Sequence, residues 1–193
     1  LPLTEQSPLR PTSPYAASKV AADFLALQAT LGYGLDVIRV RPSNHIGPGQ
    51  SERFVAPALA MRIARNEIEG AAVVPVGNLT PKRDLTDVRD VVRAYRLLAL
   101  DGHPGEVYNV CSGVAVSIDT LAQLLVERAT LPMQLEPDPD LMRPVDVPIL
   151  LGDFTHLREA TGWTPSIALE VTLTDLLADC RSRAEAERLR PSI

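Results

Sequence analysis

The sequence predicts an α/β protein, on three observations. Helix-period and strand-period segments alternate along all 193 residues, Gly and Pro mark the junctions, and no internal repeat interrupts the pattern. Hydrophobic residues make up 46% and charged residues 22%, which suits a packed globular chain and not a disordered one. The clearest strand, residues 35–41 (LDVIRVR), is apolar enough to be buried and stops at Pro42.

The elements follow in order. Residues 1–11 are Pro-rich and polar and read as a loop. Ser13 is an N-cap and Pro14 takes the first helical position, opening a helix over 14–31 with Ala16, Val20, Phe24, Leu27 and Leu31 on one face and Gly32 and Gly34 at its end. After the 35–41 strand comes a polar loop over 43–53, then a helix over 55–66 and a short strand over 73–76. Asp87 caps a helix over 88–100 whose Val88, Val91, Val92, Tyr95 and Leu98 form an apolar stripe. A strand over 106–111, a helix opened by Ser117 and running to 129, and a short strand over 134–136 come next. Residues 138–147 form a loop, 153–161 a short helix stopped by Gly162, and 169–189 a final helix burying Leu173, Leu176, Leu177, Cys180 and Ala184. The later elements are short, as in a small α+β lobe.

Charge and cysteine content exclude several functions. A net charge of −5 is the wrong sign for a phosphate-backbone footprint. No apolar run approaches the roughly 18 residues of a membrane span, and no signal peptide is visible at Leu1. Cys111 and Cys180 are too few for a disulfide framework or a zinc site and are expected as reduced thiols of a cytoplasmic protein.

Chemistry enters with Tyr15-Ala-Ala-Ser-Lys19. Residues four apart share a helical face, and an ammonium beside a phenol favours the phenolate, which can then exchange a proton with a carbonyl or alcohol oxygen. Alone, such a pair is common on solvated helix faces. Here it is followed by Arg41-Pro42-Ser43-Asn44-His45-Ile46-Gly47-Pro48-Gly49-Gln50, by Lys82-Arg83-Asp84 and Thr86-Asp87-Val88-Arg89-Asp90, and by Tyr108-Asn109-Val110-Cys111-Ser112-Gly113. Arg143-Pro144-Val145-Asp146 and Ala160-Thr161-Gly162-Trp163-Thr164-Pro165 complete the series. In this order the motifs resemble the extended short-chain dehydrogenase/reductase family of NAD(P)-dependent nucleotide-sugar epimerases, dehydratases and reductases, over essentially the whole chain.

The resemblance implies the C-terminal part of an extended SDR Rossmann fold, with the YxxxK helix and the last parallel strands, plus a small α+β substrate-binding lobe. Residues 1–70 would be the residual Rossmann part and 71–193 mainly the substrate lobe. No G-x-G-x-x-G turn occurs, and only fourteen residues precede Tyr15, so the family's pyrophosphate turn and its catalytic Ser/Thr are missing. The expectation is therefore a piece of a longer enzyme. Tyr15 would be the general acid and Lys19 its support and a ribose contact, with the backbone at Pro42 and Ser43 facing the nicotinamide of NAD or NADP. Asn44, Phe54, Val55, Gly77, Asn78, Arg83 and Arg143 would contact the nucleotide sugar, the two arginines suiting a diphosphate.

Within the family the branch most resembled reduces the 4-keto group of a GDP-linked 6-deoxyhexose, forming GDP-D-rhamnose. The alternatives are a GDP-mannose 4,6-dehydratase activity, or a non-catalytic sugar-nucleotide-binding or dimerising fragment. The 35–40 strand, stripped of neighbours, would expose an edge covered by dimerisation, exchange of elements or a separate chain, with the helix from Pro14 to Leu31 as homodimer surface. No nucleic-acid or membrane partner is implied and no metal is expected: His45 reads as structural, and His103 and His156 as exposed. Asp84, Asp87 and Asp90 read as capping and dipole-complementing acids, the acidic 136–140 run as a solvated loop, and Trp163 as interface packing.

Overall fold

The structure, a computed structural model, describes residues 1–142 and 147–190. Helix α1 (Pro14–Tyr33) leads into strands β1 (Arg39–Pro42) and β2 (Asn44–Ile46), then α2 (Val55–Glu69), β3 (Val73–Val76), β4 (Lys82–Asp87) and α3 (Val88–Asp101). Strands β5 (Val107–Val110) and β6 (Ala115–Ser117), α4 (Ile118–Val126), β7 (Gln134–Pro137), β8 (Ile149–Leu150), α5 (Thr155–Thr161) and α6 (Leu169–Arg188) follow. The architecture is α/β with parallel pairing: β1 lies parallel to β5, β2 parallel to β4, and β3 parallel to β7. Strand β4 also takes β6 antiparallel and β8 parallel.

Local chemistry sets the ends of these elements. Ser13 Oγ accepts from Ala16 N, Asp87 from Arg89 N and Ser117 Oγ from Thr120 N, so the three predicted caps all form. Helix α1 stops at Gly34, whose φ of 67° is the left-handed conformation that glycine adopts without a Cβ penalty. All five predicted core positions of α6 are buried, in one cluster with the inner faces of α2, α4 and β3. A second cluster gathers Val91, Ala94 and Leu98 of α3, Tyr108 and Val110 of β5, Leu157 and Trp163. Trp163 is thus a central residue of that second core, and its indole N–H donates to Asp90 O (3.0 Å).

Several expectations are corrected. Strand β1 begins at Arg39 and not at 35, because Val37 N turns back to Leu35 O before the ladder with β5 starts. The expected 43–53 loop contains β2, a three-residue strand recruited by the β4 backbone. A strand that the sequence did not announce, β4, carries Arg83. The α3 stripe is split: Val91 and Leu98 are buried, whereas Val92 (60% exposed) and Tyr95 (43%) face outward. Among the described residues of α1 none is buried, and Phe24 and Leu31 are 55% and 78% exposed. His156 is half-buried, stacked on the Tyr108 ring at 4.4 Å. Both cysteines are buried free thiols, which burial pushes up to about 12 for Cys111 and about 11 for Cys180.

Two of the three clustered acids secure the junction of the cores. Asp87 caps α3 and accepts from Thr172 Oγ1 of α6 (2.7 Å), and Arg89 braces it at 2.8 Å. Asp90 accepts from Ser166 N (2.8 Å), Ile167 N (2.9 Å) and Ser166 Oγ (2.8 Å), and pairs with Arg93 at 2.6 Å. Burial alone would raise both carboxyls. The hydrogen bonds from Arg89 and Thr172 to Asp87, and from Arg93, Ile167 and Ser166 to Asp90, outweigh it and hold both below the usual carboxylate range.

A depressed folded-state pKa stabilises the fold fully above the unfolded value of about 3.9, and this contribution disappears as pH falls through the folded value. We predict that Asp90→Asn costs ~2 kcal/mol near neutral pH, measured by urea unfolding. Its disadvantage should shrink as the acid limb is descended below about pH 4. A constant difference between variant and wild type from pH 7 to pH 3 would remove Asp90 from this account.

Candidate functional site

A cleft of about 270 Å³ opens at the carboxyl end of β1. One wall is the 3–9 segment and the other is the turn Pro42, Ser43 and Asn44, with Asp84, Asn109 and Cys111 also lining it. The carboxyl ends of parallel strands are where open α/β sheets hold their ligands. A larger hollow of about 670 Å³ sits at the amino ends of β3 and β7, lined mainly by apolar residues such as Val73, Val126 and Leu131, and includes none of the predicted site residues.

The 3–9 wall is latched to the sheet. Leu3 N donates to Leu151 O (2.8 Å) and Leu3 O accepts from Asp153 N (2.9 Å). Glu5 Oε1 accepts from Asn109 N at 2.8 Å, Asn109 Nδ2 donates to Leu3 O at 3.1 Å, and Arg41 donates to Glu5 O at 2.9 Å. Arg41 also pairs with Asp23 of α1 (2.8 Å), as does Arg39 (3.2 Å), so a single carboxylate sets α1 beside β1. Burial tends to raise the Asp23 carboxyl, but the two guanidiniums prevail and hold it low.

The predicted residues fall in separate places. Tyr15 and Lys19 lie on the open face of α1, the phenol 69% exposed and Lys19 Nζ 5.4 Å from the centre of its ring. Pro42, Ser43 and Asn44 line the cleft, which Tyr15 and Lys19 do not. Phe54 and Val55 begin α2 and are 56% and 38% exposed, so neither is the plain core residue that its type suggests. Gly77 packs against the Leu141 carbonyl, where a Cβ would collide. Asn78 Oδ1 accepts from Thr80 N (3.0 Å) and Thr80 Oγ1 (2.9 Å), shaping the turn before β4. Arg83 donates to Lys82 O (2.8 Å) and Val147 O (2.7 Å), anchoring the chain that enters β8. Arg143 lies outside the described residues.

The residue that sequence reasoning missed is Asp84. It is not a cap: its carboxylate is 1% exposed and accepts from Ser112 N (2.7 Å), Ser112 Oγ (2.7 Å), Gly113 N (3.0 Å), Gly152 N (3.2 Å) and Ser43 Oγ (3.3 Å). The available signal was its place inside a strand, where a carboxylate is retained only if it is fully partnered. His45 Nδ1 lies 3.2 Å from Ser43 O. Among the described residues no group of His, Cys, Asp and Glu could hold a metal ion.

The residues present fit one end of a nicotinamide dinucleotide. An exposed phenol and ammonium on one helix face, beside a strand whose carboxyl end opens into a cleft, suit a ribose and a ring. The sequence contains no glycine-rich turn for the pyrophosphate, so these residues account for the nicotinamide end alone.

Comparison with known proteins places these features in a wider set. The family described as GDP-mannose 4,6 dehydratase matches residues 1–176. GDP-6-deoxy-D-mannose reductase of Pseudomonas aeruginosa is 40% identical over 189 residues, 97% of this chain and 62% of that protein. GDP-mannose 4,6-dehydratase of Sinorhizobium fredii is 28% identical over 182 residues, 84% of this chain and 52% of that protein. The solved structure of RMD from Pseudomonas aeruginosa complexed with NADPH superimposes with a TM-score of 0.89 at 40% identity, over 95% of this chain and 61% of that one. The chain therefore spans between half and two thirds of the length of these relatives.

Gly77 gives the sharpest local prediction. Gly77→Ala forces the Leu141 carbonyl to move and should lower stability by about 1–3 kcal/mol, as overpacking does, read from the urea midpoint. An unchanged midpoint would show that the turn yields freely and that Gly77 serves something other than close packing.

Proposed function

Because the chain belongs to the GDP-mannose 4,6 dehydratase family, we propose that its protein reduces the 4-keto group of a GDP-linked 6-deoxyhexose, yielding GDP-D-rhamnose. The observation that carries this reading is the Tyr15–Lys19 pair, with the ammonium 5.4 Å from the centre of the phenol ring, on an open helix face beside the cleft-bearing strand. The reductase, at 40% identity, supports reduction over dehydration, for which the relative is 28% identical.

NADH or NADPH, when bound, supplies a hydride to the carbonyl carbon. Tyr15 gives its hydroxyl proton to the carbonyl oxygen, so that negative charge does not accumulate there. Lys19 steadies the phenolate left behind and holds the nicotinamide ribose. Asn44 hydrogen-bonds the sugar at the mouth of the cleft, with Pro42 and Ser43 against the nicotinamide. Phe54, Val55, Gly77, Asn78, Arg83 and Arg143 surround the GDP, the arginines facing its diphosphate.

The proposal includes a cytoplasmic homodimer. The free buried thiols suit a reducing compartment. The α1 surface away from Tyr15 and Lys19, where Phe24 and Leu31 are exposed, suits a second copy of the chain. Among the described residues no helix is long and apolar enough to cross a membrane.

Calorimetric titration of this chain with GDP-mannose and, separately, with NADPH tests the reading. Sugar-nucleotide binding without NADPH binding is the expected result, since the pyrophosphate turn is not in this sequence. Binding of neither would take the function away from this polypeptide. In the protein with turnover, Tyr15→Phe should lower kcat by about a hundred- to ten-thousand-fold while leaving sugar-nucleotide affinity within twofold. A comparable loss of affinity would make Tyr15 a binding residue and not the acid.

A further inference from the structure

We infer that Asp84 is the positioning residue of the 270 Å³ cleft, a buried carboxylate that ties together three separate chain segments forming its floor and rim. The inference rests on the preceding section only for what the cleft binds. Its bonds reach Ser43 at the β1–β2 junction, Ser112 and Gly113 in the β5–β6 turn, and Gly152 after β8. Ser43 and Gly152 line the cleft with Asp84 itself, and Ser112 and Gly113 directly follow the lining residue Cys111. Ser43 immediately precedes Asn44, so the carboxylate governs where the predicted sugar contact begins.

The arrangement is more than a generic buried acid. Among the described residues the Asp84 partners are backbone N–H groups and the Ser43 and Ser112 hydroxyls, all on loops, whereas Asp87 and Asp90 each hold a guanidinium. A carboxylate offers acceptor lone pairs only, and so can collect several donors from different directions at once. An amide cannot, because half of it is a donor. Asp84→Asn therefore turns an NH2 group toward N–H or O–H partners and drives at least one segment away.

Cys111 reports that movement independently of any ligand. A side chain at Gly152 would collide with Cys111 Sγ, so the Gly152 backbone covers the thiol. Releasing Gly152 from Asp84 uncovers it. Cys180 is buried in the core cluster that α6 forms with α2 and α4, and reports global opening instead.

The experiment is iodoacetamide labelling of the two thiols, followed by mass spectrometry, in wild type and Asp84→Asn, alongside calorimetric titration with GDP-mannose. The expected result is labelling of Cys111 at least tenfold faster in the variant, with Cys180 unchanged, and GDP-mannose affinity lowered at least tenfold. Cys111 as protected as in wild type overturns the inference. If Asp84→Asn does not fold, Ser112→Ala decides. At least threefold faster labelling of Cys111 alone supports the inference, and both thiols speeding together, or neither, overturns it. If wild type binds no GDP-mannose, the proposed function fails while the thiol comparison still judges the role of Asp84.

Discussion

A buried carboxylate must be surrounded by donors or pay several kcal/mol in lost hydration, and three such groups stand at intervals of three along β4 and the start of α3. Asp84, Asp87 and Asp90 are 1%, 4% and 1% exposed. Each satisfies its requirement from a different part of the chain: Asp84 from the loops around the cleft, Asp87 from α6, and Asp90 from the segment that leads into α6. The demand of each charge for partners thus specifies where distant segments arrive. Removing them leaves two apolar clusters with few directional ties between them.

That junction explains why the candidate site has two unequal parts. The cleft belongs to the sheet end and is tightly organised by Asp84 and by the Glu5–Asn109 latch. The Tyr15–Lys19 pair belongs to a helix fastened to β1 through Asp23 and otherwise open. Outside the cleft lining, Asn78 shapes a turn, Gly77 admits a carbonyl, and Arg83 donates to the Val147 carbonyl ahead of β8.

Elements with local signatures were legible in the sequence. Ser13, Asp87 and Ser117 announce helix starts because their side chains replace missing backbone partners, and Gly34 and Gly162 announce ends because they adopt positive φ. The α6 core positions were legible because a 3.6 period is unmistakable over twenty residues. Strand β2 was not, since Asn44–Ile46 has no periodicity and exists through pairing with β4. The α1 face misled because its apolar residues imply a cover that periodicity cannot identify. Tyr15 and Lys19 share a helix face as their spacing predicts, whereas the network of Asp84 was hidden because its partners are dispersed loops with no common sequence mark.

The parallel ladders have a further consequence, for the order in which the molecule can assemble. Arg39 pairs with Val107, Asn44 with Leu85, and Val73 with Gln134, so every parallel ladder waits for a strand made much later. During synthesis at about 5–20 residues per second, several seconds separate the emergence of β1 from that of β5. Its Arg39 and Arg41 are already matched to Asp23 upstream, so α1 and β1 can associate as a charged hairpin during that interval. The ion pairs that orient the finished helix can therefore also hold α1 against β1 before the ladder with β5 forms.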